Sequence, residues 1–317
     1  MKVMVTGANG LVGRHACEQF VGQGMFVRAA VRSCSTVPHA TETINVGEID
    51  GKTSWQSVLI GVDVVVHLAA RVHVMNEHAV DPVAEFRRMN VEATLNLARQ
   101  AAVAGVRRLI FVSTAKVHGE FTAPGQMFSE LDPPRPTDAY AISKWEAEQG
   151  LHSIAKSTGL EVVIVRPPLV YGPGVRANFL ALMNLVRRGW PLPFAAVANL
   201  RSLIALGNLV DFIGTCMTHP AAANQVFLVS DGHDLSTAEL VSAIARAAGM
   251  PVRLFSVPVW LLLLAGGLTG QSKAMERLCK NLQLDIRKAR TQLNWRPKLG
   301  VAEGLSLAVK PESRVSR

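Results

Sequence analysis

The sequence contains few cysteines, and those it has stand far apart. Four occur in 317 residues, at Cys17, Cys34, Cys216 and Cys279. No two of them have the short spacing of zinc ligands or of a dense disulfide framework. We therefore predict reduced thiols, no metal site and a cytoplasmic protein.

Long apolar runs are also lacking. The most apolar stretch, Val257 to Leu268, is well short of the ~20 residues that cross a bilayer, which excludes it as a transmembrane segment. We interpret this stretch as a buried helix, and contact with a membrane surface is the alternative. Because Met1 to Val5 already has the pattern of a strand, we expect no signal peptide.

Aromatic residues make up 6% of the chain and charged residues 18%, whereas 49% of the residues are hydrophobic. That share is enough for a large core and excludes global disorder. The formal net charge is +9, which favours an anionic partner. The basic residues form no stripe interleaved with aromatic residues, so a phosphate-bearing small molecule is favoured over nucleic acid.

Short apolar runs alternate with amphipathic stretches through the first half of the chain. This alternation predicts an α/β fold, a Rossmann-type doubly wound parallel sheet with helices on both faces. Proline and glycine cluster after residue 166, which predicts a dinucleotide-binding domain over 1–166 and a smaller α/β substrate-binding lobe over 167–317, with some segments returning to the first domain. The predicted strands are Val3–Val5, Phe26–Val31, Val62–Leu68, Leu109–Val112 and Val162–Val165, and the predicted helices include Leu11–Phe20 and Pro82–Ala104.

The first predicted strand leads into a glycine-rich turn with the spacing Gly7-x-x-Gly10-x-x-Gly13. Gly7 permits a tight turn, Gly10 lets the backbone approach a pyrophosphate, and Gly13 lets the following helix pack closely on the strand. The N-terminus of that helix offers unpaired N–H groups to phosphate. The pattern therefore predicts a nicotinamide dinucleotide site.

The end of the second predicted strand indicates which dinucleotide binds. An acidic residue usually stands there and binds the ribose hydroxyls of NAD, but this chain has Val31 followed by Arg32. Arg32, helped by Arg14, is suited to a 2′-phosphate. We predict NADP(H), with NAD(H) as the alternative. Nearby, His67 is interpreted as a packed strand histidine rather than a catalyst.

Both tyrosines of the chain lie in patterned segments, and one of them predicts catalysis. Tyr140 and Lys144 are four residues apart and fall on one face of a predicted helix. An ammonium group and an oxidised nicotinamide nearby favour the phenolate, which can exchange a proton with a sugar hydroxyl. Thr114, at the end of a strand, is placed to hydrogen-bond the reacting oxygen, although a strand-end cap is its simpler interpretation.

Taken together, these motifs resemble those of the extended short-chain dehydrogenase/reductases, the nucleotide-sugar epimerase/dehydratase family. The resemblance also covers His67-Leu68-Ala69-Ala70, Asn90 and Arg166-Pro167-Pro168. It implies a UDP-sugar substrate and a homodimer formed through a four-helix bundle. The residues it implies as catalytic are Thr114, Tyr140 and Lys144. Those expected at the cofactor are Gly7, Asn9, Gly10, Leu11, Val12, Gly13, Arg32, Glu48, Ile49, Leu68, Ala69, Ala70, Asn90, Val112, Tyr140, Lys144 and Pro167. Those expected at the substrate are Thr114, Asn178, Arg201 and Arg277.

Three positions depart from subgroups of that family. Its sugar 4,6-dehydratases have an Asp-Glu pair where this chain has Ala115 and Lys116, and its typical 4-epimerases have tyrosine at the position of His118. The resemblance therefore favours a UDP-4-keto-6-deoxy-N-acetylhexosamine 4-reductase of surface-polysaccharide synthesis. A UDP-glucose or UDP-N-acetylglucosamine 4-epimerase is the alternative. A non-catalytic dinucleotide-binding sensor is the remote alternative, because both Tyr140 and Lys144 are present.

Overall fold

The computed structural model describes residues 1–33, 36–72 and 81–310, so Cys34 and the polar tail after Lys310 lie outside the described residues. In the described part, seven strands form one parallel sheet in the order β3-β2-β1-β4-β5-β6-β9, and β7 pairs with β8 in a second, smaller sheet. The strands are β1 (Lys2–Thr6), β2 (Phe26–Val31), β3 (Glu42–Asn45), β4 (Val64–His67), β5 (Arg108–Val112), β6 (Glu161–Arg166), β7 (Leu169–Tyr171), β8 (Leu203–Ala205) and β9 (Val226–Leu228).

Helices cover both faces of the large sheet. Within the described residues they are α1 (Leu11–Gly22), α2 (Pro82–Arg87), α3 (Ala93–Val103), α4 (Ala139–Thr158), α5 (Ala177–Arg187), α6 (Leu206–Thr218), α7 (Thr237–Ala247), α8 (Val259–Leu268), α9 (Ser272–Cys279), α10 (Arg287–Gln292) and α11 (Val301–Val309).

The apolar strands are buried on both faces, as their continuous hydrophobicity predicts. Val3 and Val5 pack in a cluster with residues of α1 and α6, whereas Met4, between them, packs in a second cluster with residues of α3 and α4. Alternate side chains of one strand thus enter two separate cores. The predicted doubly wound α/β fold is confirmed.

The stretch predicted as one helix from Pro82 to Ala104 is broken by a π-helical turn over Arg88–Glu92. Asn90 lies in this turn, where its amide exchanges hydrogen bonds with the backbone of Arg71 and donates one to Ser143 Oγ. The periodicity of the apolar residues does not reveal such a turn, because the six-residue helix before it buries only Phe86, which is too few side chains to show a change of register. Turns of this kind are frequent at functional sites.

The second half of the chain builds a third core beside the sheet. Two of its elements, α6 and β9, return to the sheet, and the division at residue 167 stays a prediction. The interpretation of Val257 to Leu268 as a buried helix is wrong. Helix α8 buries only Leu262 and Gly266, because no described element covers its outer side, and Trp260 is 64% exposed. No helix in the described ranges is long and apolar enough to cross a membrane.

Candidate active site

The glycine-rich turn lies between β1 and α1. In the sheet, β1 has β2 on one side and β4 on the other. Gly7 has a φ of +64°, and a Cβ there would stand 2.7 Å from the amide nitrogen of Ala69. A Cβ on Gly13 would overlap the carbonyl oxygen of Gly7. Gly10 caps α1 with extended backbone and without a side chain. These three glycines leave a cradle at the switch point of the sheet, where dinucleotides bind in such folds.

A cavity of about 470 Å³ opens above this turn and runs to the N-terminal end of α4. It brings together most of the residues that the sequence predicted. The predicted residues that line it are Gly7, Asn9, Gly10, Leu11, Val12, Gly13, Arg32, Ile49, Leu68, Ala69, Ala70, Val112, Thr114, Tyr140, Lys144 and Pro167.

Two residues predicted at the cofactor do not line the cavity. The Glu48 side chain is 84% exposed and lies 3.7 Å from Arg88. Asn90 is buried and ties the loop after β4 to α4 through its bonds to Arg71 and Ser143. Asn90 is therefore placed to fix the shape of the cavity wall from behind.

Helix α4 carries the tyrosine–lysine pair. Asp138 caps the helix by accepting a hydrogen bond from the amide of Ala141, which sets Tyr140 in the first turn. Lys144 lies one turn further on, where its Nζ donates to the carbonyl oxygen of Val112 at 2.7 Å and stands 4.2 Å from the centre of the Phe111 ring. Lys144 thus meets the end of β5, and both side chains line the cavity.

Burial shifts the pKa values of both members of this pair. Burial, with a smaller contribution from Asp138, raises the pKa of Tyr140 above its usual value. Burial also lowers the pKa of Lys144 to about 7, although Glu148 opposes this. In the protein without its dinucleotide, burial therefore favours the neutral phenol of Tyr140, the proton-donating form. The phenolate was predicted with an oxidised nicotinamide nearby, and it stays a prediction for the loaded site.

Thr114 forms the strand-end cap that was the simpler interpretation, and its place at the cavity leaves the catalytic role a prediction. Its Oγ1 accepts a bond from the amide of Lys116 and caps a short 3₁₀ turn, and the residue also lines the cavity. Ser113, which the sequence analysis did not single out, lines the cavity too. Its Oγ is buried and has no hydrogen-bond partner in the described ranges, so Ser113 is a candidate ligand contact. The sequence could have indicated Ser113, because it stands beside Thr114 at the end of a strand.

His67 is a structural residue, as predicted. Its two ring nitrogens pair with the hydroxyls of Thr6 at 2.7 Å and Thr94 at 2.9 Å. Burial lowers the pKa of His67 to about 3, so the ring is neutral. The Thr6 hydroxyl in turn accepts from the amides of Leu68 and Ala69 and thereby fixes the cavity wall opposite Gly7.

A row of charged side chains leads from the cavity to Arg201 and Arg277, the two arginines expected at the substrate. Lys116 Nζ lies 2.7 Å from Asp138 and 3.7 Å from Glu120, and Glu120 lies 3.9 Å from Arg277. Burial, followed by the nearby charge of Arg277, lowers the pKa of Arg201 to about 10. The fold thus brings Arg201 and Arg277 together, although they are far apart in sequence. Neither lines the 470 Å³ cavity.

Two further observations complete the description of the predicted residues. Asn178 is exposed at the start of α5 and is also outside the cavity lining. No group of three or more histidine, cysteine, aspartate or glutamate side chains able to hold a metal ion occurs in the part of the chain that the structure describes.

Behind the site, a buried ion pair joins α4 to the sheet. Arg166 Nε lies 3.2 Å from both carboxylate oxygens of Glu148, and the Arg166 NH1 group lies 2.8 Å from Nε2 of His118. Burial, followed by the charge of Arg166, lowers the pKa of His118 to about 4. Neutral His118 therefore accepts the hydrogen bond from Arg166. This network holds the segment that carries Lys144 against the end of β6.

The chain is similar in sequence and in fold to known proteins. A profile of the NAD dependent epimerase/dehydratase family matches residues 3–230. The chain is 44% identical over 304 residues to UDP-glucose 4-epimerase of Vibrio cholerae, covering 95% of this chain and 92% of that one. Its fold matches MoeE5 in complex with UDP-glucose and NAD, with a TM-score of 0.76, 26% identity, and 98% and 97% of the two chains covered. It also matches UDP-glucuronic acid 4-epimerase of Bacillus cereus in complex with NAD, with a TM-score of 0.78, 21% identity, and 98% and 97% covered.

Proposed function

The chain belongs to the NAD-dependent epimerase/dehydratase family, and from this premise we propose that it inverts the configuration at C4 of a UDP-hexose. The observation that carries the proposal is that one cavity is lined both by the glycine-rich turn and by Thr114, Tyr140 and Lys144. The 44% identity to the UDP-glucose 4-epimerase of Vibrio cholerae supports the same reaction.

The cradle at Gly7, Gly10 and Gly13 fits a dinucleotide, because a Cβ at Gly7 or Gly13 would collide with the surrounding backbone. The N-terminus of α1 would hold the pyrophosphate. When bound, the nicotinamide supplies a hydride acceptor for C4 of the sugar, a hydride donor for the return step, and in its oxidised form a positive charge beside Tyr140.

Tyr140 exchanges the proton of the sugar O4. Its hydroxyl gives a proton to the C4 carbonyl oxygen during reduction and takes it back from the C4 hydroxyl during oxidation. Thr114 orients that oxygen. Lys144 bridges the helix to the end of β5, and its ammonium form stabilises the phenolate of Tyr140. Arg201 and Arg277 bind the diphosphate of the substrate, and Asn178 contacts the nucleotide.

The test is incubation with UDP-glucose, UDP-galactose and their N-acetylated counterparts, followed by NMR of the products. We expect interconversion of a C4 pair without net consumption of cofactor. Tyr140→Phe should lower turnover on the order of a hundredfold or more while dinucleotide binding persists.

Tyr171→Phe is the matched control, because the chain has only one other tyrosine. Tyr171 is buried, donates a hydrogen bond to Asp231 at 2.7 Å and does not line the cavity. Its loss should lower stability and leave turnover near normal. Near-normal turnover of Tyr140→Phe, or a loss in both variants, would contradict the mechanism.

Reduction of a UDP-4-keto-6-deoxy-N-acetylhexosamine is a second candidate, in keeping with surface-polysaccharide synthesis. The observation that favours it is Arg32, which lines the cavity next to Val31 and suits NADP(H). A reductase consumes one NADPH for each sugar, which the absorbance of the reduced nicotinamide would report. Because Ala115 and Lys116 replace an acid pair, neither candidate should yield a 4-keto-6-deoxy product from UDP-N-acetylglucosamine. A homodimer and a cytoplasmic location belong to the same proposal, and sedimentation velocity would test the dimer.

A further inference from the structure

Helix α8 presents a row of large apolar side chains to solvent. Trp260, Leu264 and Leu268 follow one another at intervals of four residues, with exposed fractions of 64%, 53% and 82%, and Leu261 lies beside them. The opposite side of the helix packs inward through Leu262 and Gly266. An exposed row of this kind on a described helix marks a contact surface.

Two exposed aromatic residues lie on segments that pair just before α8. The amide of Phe255 donates to the carbonyl of Leu192, and the amide of Leu192 donates to that of Arg253. These bonds place exposed Trp190 and exposed Phe255 on adjacent segments, and Phe255 stands four residues before α8 begins. We call the six residues Trp190, Phe255, Trp260, Leu261, Leu264 and Leu268 the apolar surface.

The charge around the apolar surface is mainly positive, and the nearest acidic residue in sequence, Glu276 of α9, is paired with Lys280. The sequence has no aspartate or glutamate between Glu161 and Asp211, and none between Glu239 and Glu276. The exposed charged residues on the segments that carry or flank the apolar surface are Arg187, Arg188, Arg253 and Lys273. Arg188 lies 5.7 Å from the centre of the Trp190 ring, and Arg253 donates to the carbonyl of Gly189. The cations therefore stand directly beside the aromatic residues.

We propose that the apolar surface docks on an anionic lipid bilayer. Exposed tryptophan beside leucine suits the boundary between headgroups and acyl chains, and the flanking arginine and lysine residues match the charge of anionic headgroups. Helix α8 is too short to cross a bilayer, so it lies in the plane of the membrane surface. A second copy of the chain fits less well, because the same cations would face one another across the interface.

The docked helix adjoins the helix that carries Arg277, one of the proposed substrate contacts. Gly266 of α8 packs against Met275 of α9, and α9 carries Arg277. Docking would bring the helix with this arginine to the membrane surface, where a membrane-derived substrate or a membrane-bound partner enzyme is reached by the shortest path. The binding itself does not depend on the proposed reaction.

The test is cosedimentation of the full chain with vesicles of phosphatidylcholine alone and of phosphatidylcholine mixed with phosphatidylglycerol. Each basic residue near an anionic surface strengthens binding about fivefold. The four cations therefore predict about 600-fold tighter binding to the anionic vesicles. No binding to the anionic vesicles, or equal binding to both kinds, would overturn the proposal.

Two variants separate the apolar contribution from the charge contribution. Leu264→Glu with Leu268→Glu should weaken binding to both kinds of vesicle by at least about tenfold. Arg188→Gln with Lys273→Gln should weaken only the binding to anionic vesicles, by about twentyfold. Val103→Glu is the matched control, because Val103 is 88% exposed at the end of α3 in the predicted dinucleotide-binding domain, and it should bind like the unmodified chain.

Thermal unfolding of each variant would show that it is folded. Sedimentation velocity without lipid tests the remaining occupant. Self-association that disappears in Leu264→Glu with Leu268→Glu, without any vesicle binding by the unmodified chain, would assign the apolar surface to a second copy and overturn the proposal.

Discussion

Replacing Glu148 with glutamine tests the buried ion pair behind the site. Glu148 is fully buried, and the Arg166 side chain is only 4% exposed. Glutamine keeps the size and shape of the side chain but leaves the guanidinium without a counter-charge. Leaving one partner of a buried pair uncompensated costs about 3–5 kcal/mol. That is a large share of the roughly 5–15 kcal/mol that holds a typical domain folded, so a clearly lower midpoint of unfolding is expected.

The same helix offers a matched control. Glu146, two residues before Glu148, also pairs with an arginine, but its partner Arg87 is 53% exposed. Water screens that pair, so Glu146→Gln should change the free energy of unfolding far less than Glu148→Gln does. Urea unfolding followed by circular dichroism measures both. Adding Arg166→Met to Glu148→Gln should recover much of the loss, because no unpaired charge then remains buried.

A second measurement ties the ion pair to the site. The charge of Glu148 raises the pKa of Lys144, which burial holds at about 7. Glu148→Gln should therefore lower the Lys144 pKa further and move the corresponding step of the pH–rate profile to lower pH, whereas Glu146→Gln should leave that step in place. Equal losses of stability in the two variants, or an unchanged pH–rate profile in Glu148→Gln, would refute this account of the network.

Three further predictions concern charge at and around the cavity. Arg32→Ala should weaken NADPH binding about ten- to a hundredfold with little effect on NADH, and titration at low salt in which the unmodified chain binds both equally would contradict the NADP(H) assignment. The pKa of His118 is about 4 in the fold, below the usual histidine value of 6.5, so its contribution of roughly 3 kcal/mol is present above pH 6.5 and is lost as pH falls towards 4. Urea unfolding at several pH values should show this loss, and His118→Gln should make the pH dependence shallower. The negative charge of Asp138 raises the pKa of Tyr140, and Lys116 partly neutralises that charge. Lys116→Met should therefore move the tyrosine step of the pH–rate profile to higher pH, whereas Lys116→Arg should leave it unchanged.

The strands, the glycine-rich turn and most of the cavity lining could be predicted from the sequence alone. Continuous apolar runs such as Val64–His67 leave few alternatives to a strand buried on both faces. At Gly7 and Gly13 the surrounding backbone leaves no room for a Cβ, so the glycine spacing in the sequence predicts the close approach of backbone segments at this turn. The constraint on Gly13 lies within the turn itself, where a Cβ would meet Gly7 and Ala8, whereas the constraint on Gly7 comes from Ala69, after β4, and from its own positive φ.

Other features were decided only by the tertiary structure. Burial set the protonation of Tyr140 and Lys144, and a sequence does not show how much water a side chain loses. The π-helical turn at Asn90 depends on partners from two other segments. The exposure of Trp260 on α8 depends on which neighbours fail to cover it. Each of these properties is a sum over groups distant in the chain, so an apolar run alone could not distinguish a buried helix from a docking surface.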